Sequence, residues 1–263
     1  MEFESARRDE ELHRLLDPSA PGQTRTRSCA LAIMTKAPRA GQVKTRLVPP
    51  LSTHEAAELN KCFLRDTTAA ISDAIRDNNA CGIAVYTPIG SEPAYAEILP
   101  PNFTLLPQRG AKFGERLFFA AEDLFRCGFE SVCLIDSDSP TVPAASFEQA
   151  LQLLKSAGDR IVLGPCGDGG YYLIGLKKLH RELFEGIDWS TDRVFDQTVR
   201  CAAQKGTEVK LLPLGYDVDD RASLQRLCCE LLGEKAGDGV APNTRKFLAE
   251  IIEREGRDGI WPV

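Results

Sequence analysis

No run of about 18 apolar residues occurs in the sequence, so no segment reads as a membrane span. Residues 1–28 carry Arg7, Arg8, Asp9, Glu10 and Glu11 and lack the apolar centre that a secretory signal needs. They are expected to form a mobile or loosely packed extension. Positive charge is also in short supply: the formal net charge of −6 gives no basic field for a nucleic-acid backbone, and the basic residues that cluster do so in a single loop. There is no CxxC pair, and the adjacent Cys228 and Cys229 have the wrong spacing for a zinc knuckle. The nine cysteines lie mainly in apolar runs or along helical patterns, so they read as small core residues of a protein in a reducing cytoplasm.

What is present is an alternation of short apolar runs and amphipathic stretches, the pattern of a mainly parallel sheet covered by helices. Strands are expected at 29–35, 82–87, 104–107, 131–135, 160–164, 171–175 and 208–213. Leu117, Phe118, Ala121, Leu124 and Phe125 form one helical stripe, and Phe147, Ala150, Leu151 and Leu154 form another. A long helix is expected from about 54 to 76, a further one through Leu224, Leu227, Cys228 and Leu231, and a terminal one through Phe247, Leu248, Ile251 and Ile252. The organisation is then an extension (1–28), one α/β domain (29–232), and a glycine-rich linker with a C-terminal helix packing on the domain (233–263). In such a sheet, ligands bind at the loops leaving the carboxyl ends of the strands.

Four of those loops carry unusual residues. The first, 36–46 (KAPRAGQVKTR), sets Lys36, Arg39, Lys44 and Arg46 around Gly41, without the glycine–lysine order of a P-loop or a GxGxxG pattern. Four cations in eleven residues suit a phosphate, although composition alone equally allows a solvated basic loop. The second, Asp136-Ser137-Asp138-Ser139-Pro140, offers two carboxylates one residue apart to a hard cation such as Mg²⁺ or Mn²⁺, or a simple turn cap. The third, 164–172 (GPCGDGGYY), combines glycines that permit close backbone approach with Asp168, a candidate base, metal ligand or acceptor anchor. The fourth, Asp217-Val218-Asp219-Asp220, enters a helix and holds more acid than an N-cap requires. Two more loops, 108–116 (QRGAKFGER) and Trp189-Ser190-Thr191-Asp192, also enter helices; Ser190 or Thr191 is a candidate cap there.

In order, MTKAPRAGQVKTRL, FGERL, DSDSPTV, GPCGDGGYYLIGL, WST and DVDD resemble the radical-SAM/selenodomain-associated transferase family, glycosyltransferase-like proteins of the nucleotide-diphospho-sugar transferase (GT-A) superfamily. The resemblance runs from about Ala32 to Leu224, and through Lys44-Thr45-Arg46-Leu47 it extends to 2-phospholactate and molybdenum-cofactor guanylyltransferases. It implies a single-domain three-layer α/β/α fold with a mixed, mainly parallel sheet. It implies Mg²⁺ or Mn²⁺ held by Asp138 and Asp219, with Asp136, where relatives commonly have glycine, as a third candidate. Lys36, Lys44 and Arg46 match the polyphosphate loop; Glu115, Arg116 and Asp168 match family positions of less settled role; Phe113 stands where leucine is usual. The implied activity is glycosyl transfer from a nucleoside diphosphate sugar to a small acceptor, with Asp168 beside the acceptor and Lys44 and Arg46 neutralising the leaving group. Nucleotidyl transfer from GTP or CTP to a small phosphorylated acceptor is the alternative, and a nucleotide-binding protein without catalysis the third reading.

Overall fold

The computed structural model describes residues 13–20, 28–233, 237 and 239–256. Seven strands, β1 (Cys29–Lys36), β2 (Ala80–Thr87), β3 (Thr104–Pro107), β4 (Ser131–Ile135), β5 (Arg160–Pro165), β6 (Tyr171–Leu176) and β7 (Glu208–Leu211), form one sheet in the order β3-β2-β1-β4-β6-β5-β7. β6 alone runs against its neighbours β4 and β5; the other pairings are parallel. The sheet is therefore mixed and mainly parallel, as expected.

Period-2 alternation divides the side chains between the two faces. Cys29, Leu31 and Ile33 of β1 point into one core with Leu64 and Ile71 of α1 (Thr53–Ile75) and Phe147 and Leu151 of α3 (Ala144–Lys155). Ala30 and Ala32 point into a second core with Leu117, Phe118 and Leu124 of α2 (Phe113–Arg126) and Ala202 of α4 (Val194–Gln204). These are the two helical layers of a three-layer domain. A third cluster joins Leu47, Leu59 and Phe63 to Leu224 and Leu227 of α5 (Arg221–Leu232) and Leu248 and Ile251 of α6 (Pro242–Glu255). Among the described residues no helix is long and apolar enough to cross a membrane.

Helix α6 is tied to α1 by one buried side chain. Asp66 accepts from the backbone N–H of Asn243 (3.0 Å) and Thr244 (2.8 Å) and from the Asn243 amide (2.7 Å), so it caps α6 from another helix. This docks the C-terminal helix on the domain. Of the expected loose extension, 13–20 is docked instead: Leu16 is buried, and backbone bonds join Leu16 to Leu105 and Leu105 to Arg14 at the open edge of β3. The rest of that extension, 1–12 and 21–27, lies outside the described residues, as does most of the middle of the expected linker.

Because β6 is reversed, the β5–β6 hairpin turns at the same sheet edge where β1, β4 and β7 end. All four unusual loops therefore meet there.

Candidate active site

Lys44 is the centre of this edge. It takes a left-handed backbone conformation (φ 49°, ψ 36°) just before the short helical turn Thr45–Leu47, whose Leu47 is fully buried. Its ammonium donates to Asp138 Oδ1 (2.8 Å), Asp219 Oδ1 (3.0 Å) and the Val218 carbonyl (2.7 Å), and lies 5.4 Å from the centre of the Phe63 ring. The side chain is 4% exposed. Burial opposes its charge, but the Asp138 and Asp219 carboxylates outweigh burial and hold the ammonium above the usual lysine range. The loops bearing the two aspartates are themselves joined, since the Val218 N–H donates to the Asp138 carbonyl (2.9 Å).

The two carboxylates of the β4 loop part company. Asp138 faces Lys44, with the Ser137 hydroxyl 3.2 Å from its Oδ1. Asp136 instead closes the turn, accepting from the Ser139 hydroxyl (2.7 Å) and the Asp138 N–H (3.3 Å). Burial, followed by the charge of Asp138, pushes its carboxyl well above the ordinary carboxylate range despite Ser139. Both line the cleft, yet only Asp138 and Asp219 converge on one cation.

In the β7 loop Asp219 faces inward, with Arg46 4.0 Å away, while Asp220 makes a capping box with Ser223 at the start of α5. Asp217 lies half-buried beside the β5–β6 loop: oxygens of Asp217 and Asp168 and the sulfur of Cys166 all lie within 4.8 Å of one another. Burial and the neighbouring Asp168 and Asp219 charges push Asp217 up to about 6. Asp168 is exposed and accepts from the Gly170 N–H (2.9 Å). Gly169 takes φ +90°, and a Cβ there would stand 2.1 Å from the Asp192 carbonyl oxygen; its own carbonyl accepts from Phe195 N–H (2.8 Å). That glycine locks the Asp168 loop against the 189–192 loop. Neither Ser190 nor Thr191 is the N-cap of α4; that position is Arg193, whose N–H is held by the Thr191 hydroxyl (3.3 Å).

These loops enclose a cleft of about 640 Å³ lined by Lys36, Lys44, Arg46, Asp136, Asp138, Asp168, Asp217 and Asp219. Phe113, Leu117, Tyr171 and Trp189 line it as well, with the Phe113 and Trp189 rings edge to face at 5.3 Å. Three expected binding residues are not brought to it. Arg39 is exposed and stays outside the cleft lining; Glu115 accepts from Ala111 and Lys112 N–H (2.9 and 3.2 Å) and caps α2; Arg116 follows it on that helix. The position of Glu115 at the third residue of a helix is the signal that identifies it as a cap. Sequence reasoning singled out the Trp189 loop without giving its ring a role, and it missed Asn60 of α1. Asn60 is 4% exposed and lines the cleft with a side-chain carbonyl that has no partner among the described residues.

A family model described as an uncharacterized protein conserved in bacteria (DUF2064) matches residues 71–191. No curated protein matches the chain in sequence. A Desulfovibrio desulfuricans G20 crystal structure named as a candidate nucleotide-diphospho-sugar transferase is 29% identical, with a TM-score of 0.73, covering 86% of this chain and 95% of that one. The 4-diphosphocytidyl-2C-methyl-D-erythritol synthase of Anaerococcus prevotii DSM 20548 is 13% identical with a TM-score of 0.51, covering 78% and 99%, and so is similar in fold alone. The reversed β6 within an otherwise parallel sheet and the likeness to the Desulfovibrio structure identify the architecture of this chain as the nucleotide-diphospho-sugar transferase fold.

Proposed function

We propose that the protein is a metal-dependent glycosyltransferase that moves a sugar from a nucleoside diphosphate sugar to a small acceptor. One observation carries the reading: Asp138 and Asp219, from the ends of β4 and β7, converge on a single buried cation position. Their donor set is all oxygen, which fits Mg²⁺ or Mn²⁺. Either ion would supply Lewis-acid neutralisation of the departing diphosphate. Arg46, 74% exposed, and Lys36 reach the cleft from its open side and suit the outer phosphate oxygens; Lys44 serves the inner ones. Asp168 stands where it can accept a hydrogen bond from the attacking hydroxyl, and Phe113, Tyr171 and Trp189 form a wall for the acceptor's apolar body.

The charge balance supports a diphosphate sugar over a triphosphate. Six carboxylates and three cationic side chains line the cleft, so one divalent ion still leaves a formal excess of one carboxylate, and a diphosphate sugar carries roughly half the phosphate charge of a triphosphate. The second reading, nucleotidyl transfer to a phosphorylated acceptor, rests on the order of Lys44, Thr45 and Arg46 directly after β1. The nine cysteines, most of them buried, suit a reducing cytoplasm. The test is a panel of sugar nucleotides and nucleoside triphosphates with Mg²⁺ and Mn²⁺, read by phosphorus NMR. Nucleoside diphosphate released from a sugar nucleotide supports the reading; pyrophosphate released from GTP or CTP, with no sugar nucleotide consumed, overturns it.

A further inference from the structure

Lys44 and a divalent cation want the same atoms. An ammonium has three N–H donors, and in Lys44 all three are spent on Asp138, Asp219 and the Val218 carbonyl. None remains for a phosphate. Both carboxylate contacts use Oδ1, the pair of oxygens that points into the junction between the β4 and β7 loops. A second positive charge bound across Asp138 and Asp219 would stand next to the ammonium in a pocket where water screens little.

We propose that Lys44 is the resident counter-cation of the Asp138–Asp219 pair, and that a divalent ion displaces its ammonium, which is thereby freed to bind the phosphates of the nucleotide. This rests on the metal-site reading above and adds a binding order to it. In the resting site one protein cation satisfies two acids that would otherwise repel each other. In the loaded site the ion takes the acids, and the displaced ammonium gains acceptors only if phosphate oxygens are present. Ion and nucleotide therefore bind with a positive coupling that passes through this side chain, in addition to whatever the ion gains by meeting the diphosphate directly. Two features give the exchange room. The Lys44 side chain reaches the acids across the cleft wall beside the Phe63 ring, and one helical turn earlier the buried Asn60 carbonyl lines the same cleft with no partner among the described residues.

The test uses the whole chain and Mn²⁺ alone, followed by electron paramagnetic resonance of free Mn²⁺ and by calorimetry. Lys44→Met removes the competing cation, so Mn²⁺ binding without nucleotide tightens by about tenfold, within the usual range of coupling between sites. The tightening that UDP or GDP produces in the wild type shrinks in the variant to the part supplied by direct contact between the ion and the diphosphate. A second measurement needs no variant: Lys44 acetylation by acetic anhydride, read by mass spectrometry against exposed Lys36, is slow in the apo protein and rises when Mg²⁺ is added. Mn²⁺ bound equally by wild type and Lys44→Met, with Lys44 still protected in Mg²⁺, overturns the exchange and leaves the metal site standing. If neither protein binds Mn²⁺, the metal-site reading itself fails and the exchange falls with it.

Discussion

Replacing Gly169 with alanine tests whether the Asp168 loop is held in place by backbone shape. The residue sits at φ +90°, where an L side chain is strained by about 1–2 kcal/mol. Its new Cβ would stand 2.1 Å from the Asp192 carbonyl oxygen and 2.6 Å from that residue's carbonyl carbon and Cα. All three are backbone atoms, so no rotamer relieves the clash, and overpacking adds about 1–3 kcal/mol. The sum is about 2–5 kcal/mol, which for a chain of this size lowers Tm by roughly 4–20 °C. Gly167, two residues earlier in the same motif, provides the control: its φ is not positive and no atom lies within 4 Å of the Cβ position. Gly167→Ala should stay within about 0.5 kcal/mol of wild type. Differential scanning calorimetry of both variants, with sugar-nucleotide turnover alongside, decides the matter. Equal damage from the two, or a Gly169→Ala protein with wild-type Tm and turnover, refutes the argument that this glycine locks the two loops together.

Asp66→Ala strips the cap from α6 and leaves three donors of Asn243 and Thr244 without their acceptor; urea denaturation should show a loss of about 2–4 kcal/mol. Asp138→Asn should lower turnover by more than about 100-fold, whereas Asp136→Asn, which keeps the turn's shape at a carboxyl already driven towards its neutral form, should cost less than about tenfold. Burial would raise the Glu55 carboxyl, but the Ser52 contacts and Arg254 outweigh it and hold it lowered. Its stabilising effect is thus complete above the unfolded carboxylate value of about 4.3 and fades as pH falls through the lower folded value. Acid titration of stability should show a shallower limb below about pH 4.5 in Glu55→Gln.

The strands were legible because each is a short apolar run between turn residues, and the observed ends shift by only one or two residues from the expected ones; β2, for instance, begins at Ala80 instead of Gly82. The reversal of β6 is not carried by its own residues: Tyr172, Leu173, Ile174 and Leu176 are buried whichever way the strand runs, so their pattern carries no sign of direction. The sign lies in loop length, because five residues between β5 and β6 are too few for a parallel crossover. Asp168 reaches the edge shared with Asp138 and Asp219 because β5, which it follows, runs parallel to β4 and β7. Local chemistry likewise ranked the acids only by loop. The DxD spacing alone allowed Asp136 and Asp138 to act together; the family resemblance pointed instead to Asp138 with Asp219, and the fold sets those two against Lys44 while spending Asp136 inside its own turn. Glu115 was misleading for the opposite reason: a family position was matched, while its local role as a cap was the stronger one.

The acids left over from the Lys44 pair bear on which acceptor the cleft takes. Asp168 and Asp217 lie beside Cys166 without an ion pair among the described residues, and crowding by Asp168 and Asp219 adds to burial in pushing Asp217 up to about 6. A phosphorylated acceptor would bring further negative charge to this corner. A neutral hydroxyl would bring a donor, which either carboxylate can accept, and the adjoining Phe113 and Trp189 rings offer apolar surface to the remainder of the molecule. Glycosyl transfer to a neutral acceptor therefore fits the corner better than nucleotidyl transfer to a phosphate. The expectation is that matched pairs of acceptors, each alcohol against its phosphate ester, are used in favour of the alcohol. Asp168→Asn should erode that preference by admitting the ester, as well as slowing the alcohol. A wild-type enzyme that prefers the esters would show that the charge of this corner is met by something other than the acceptor.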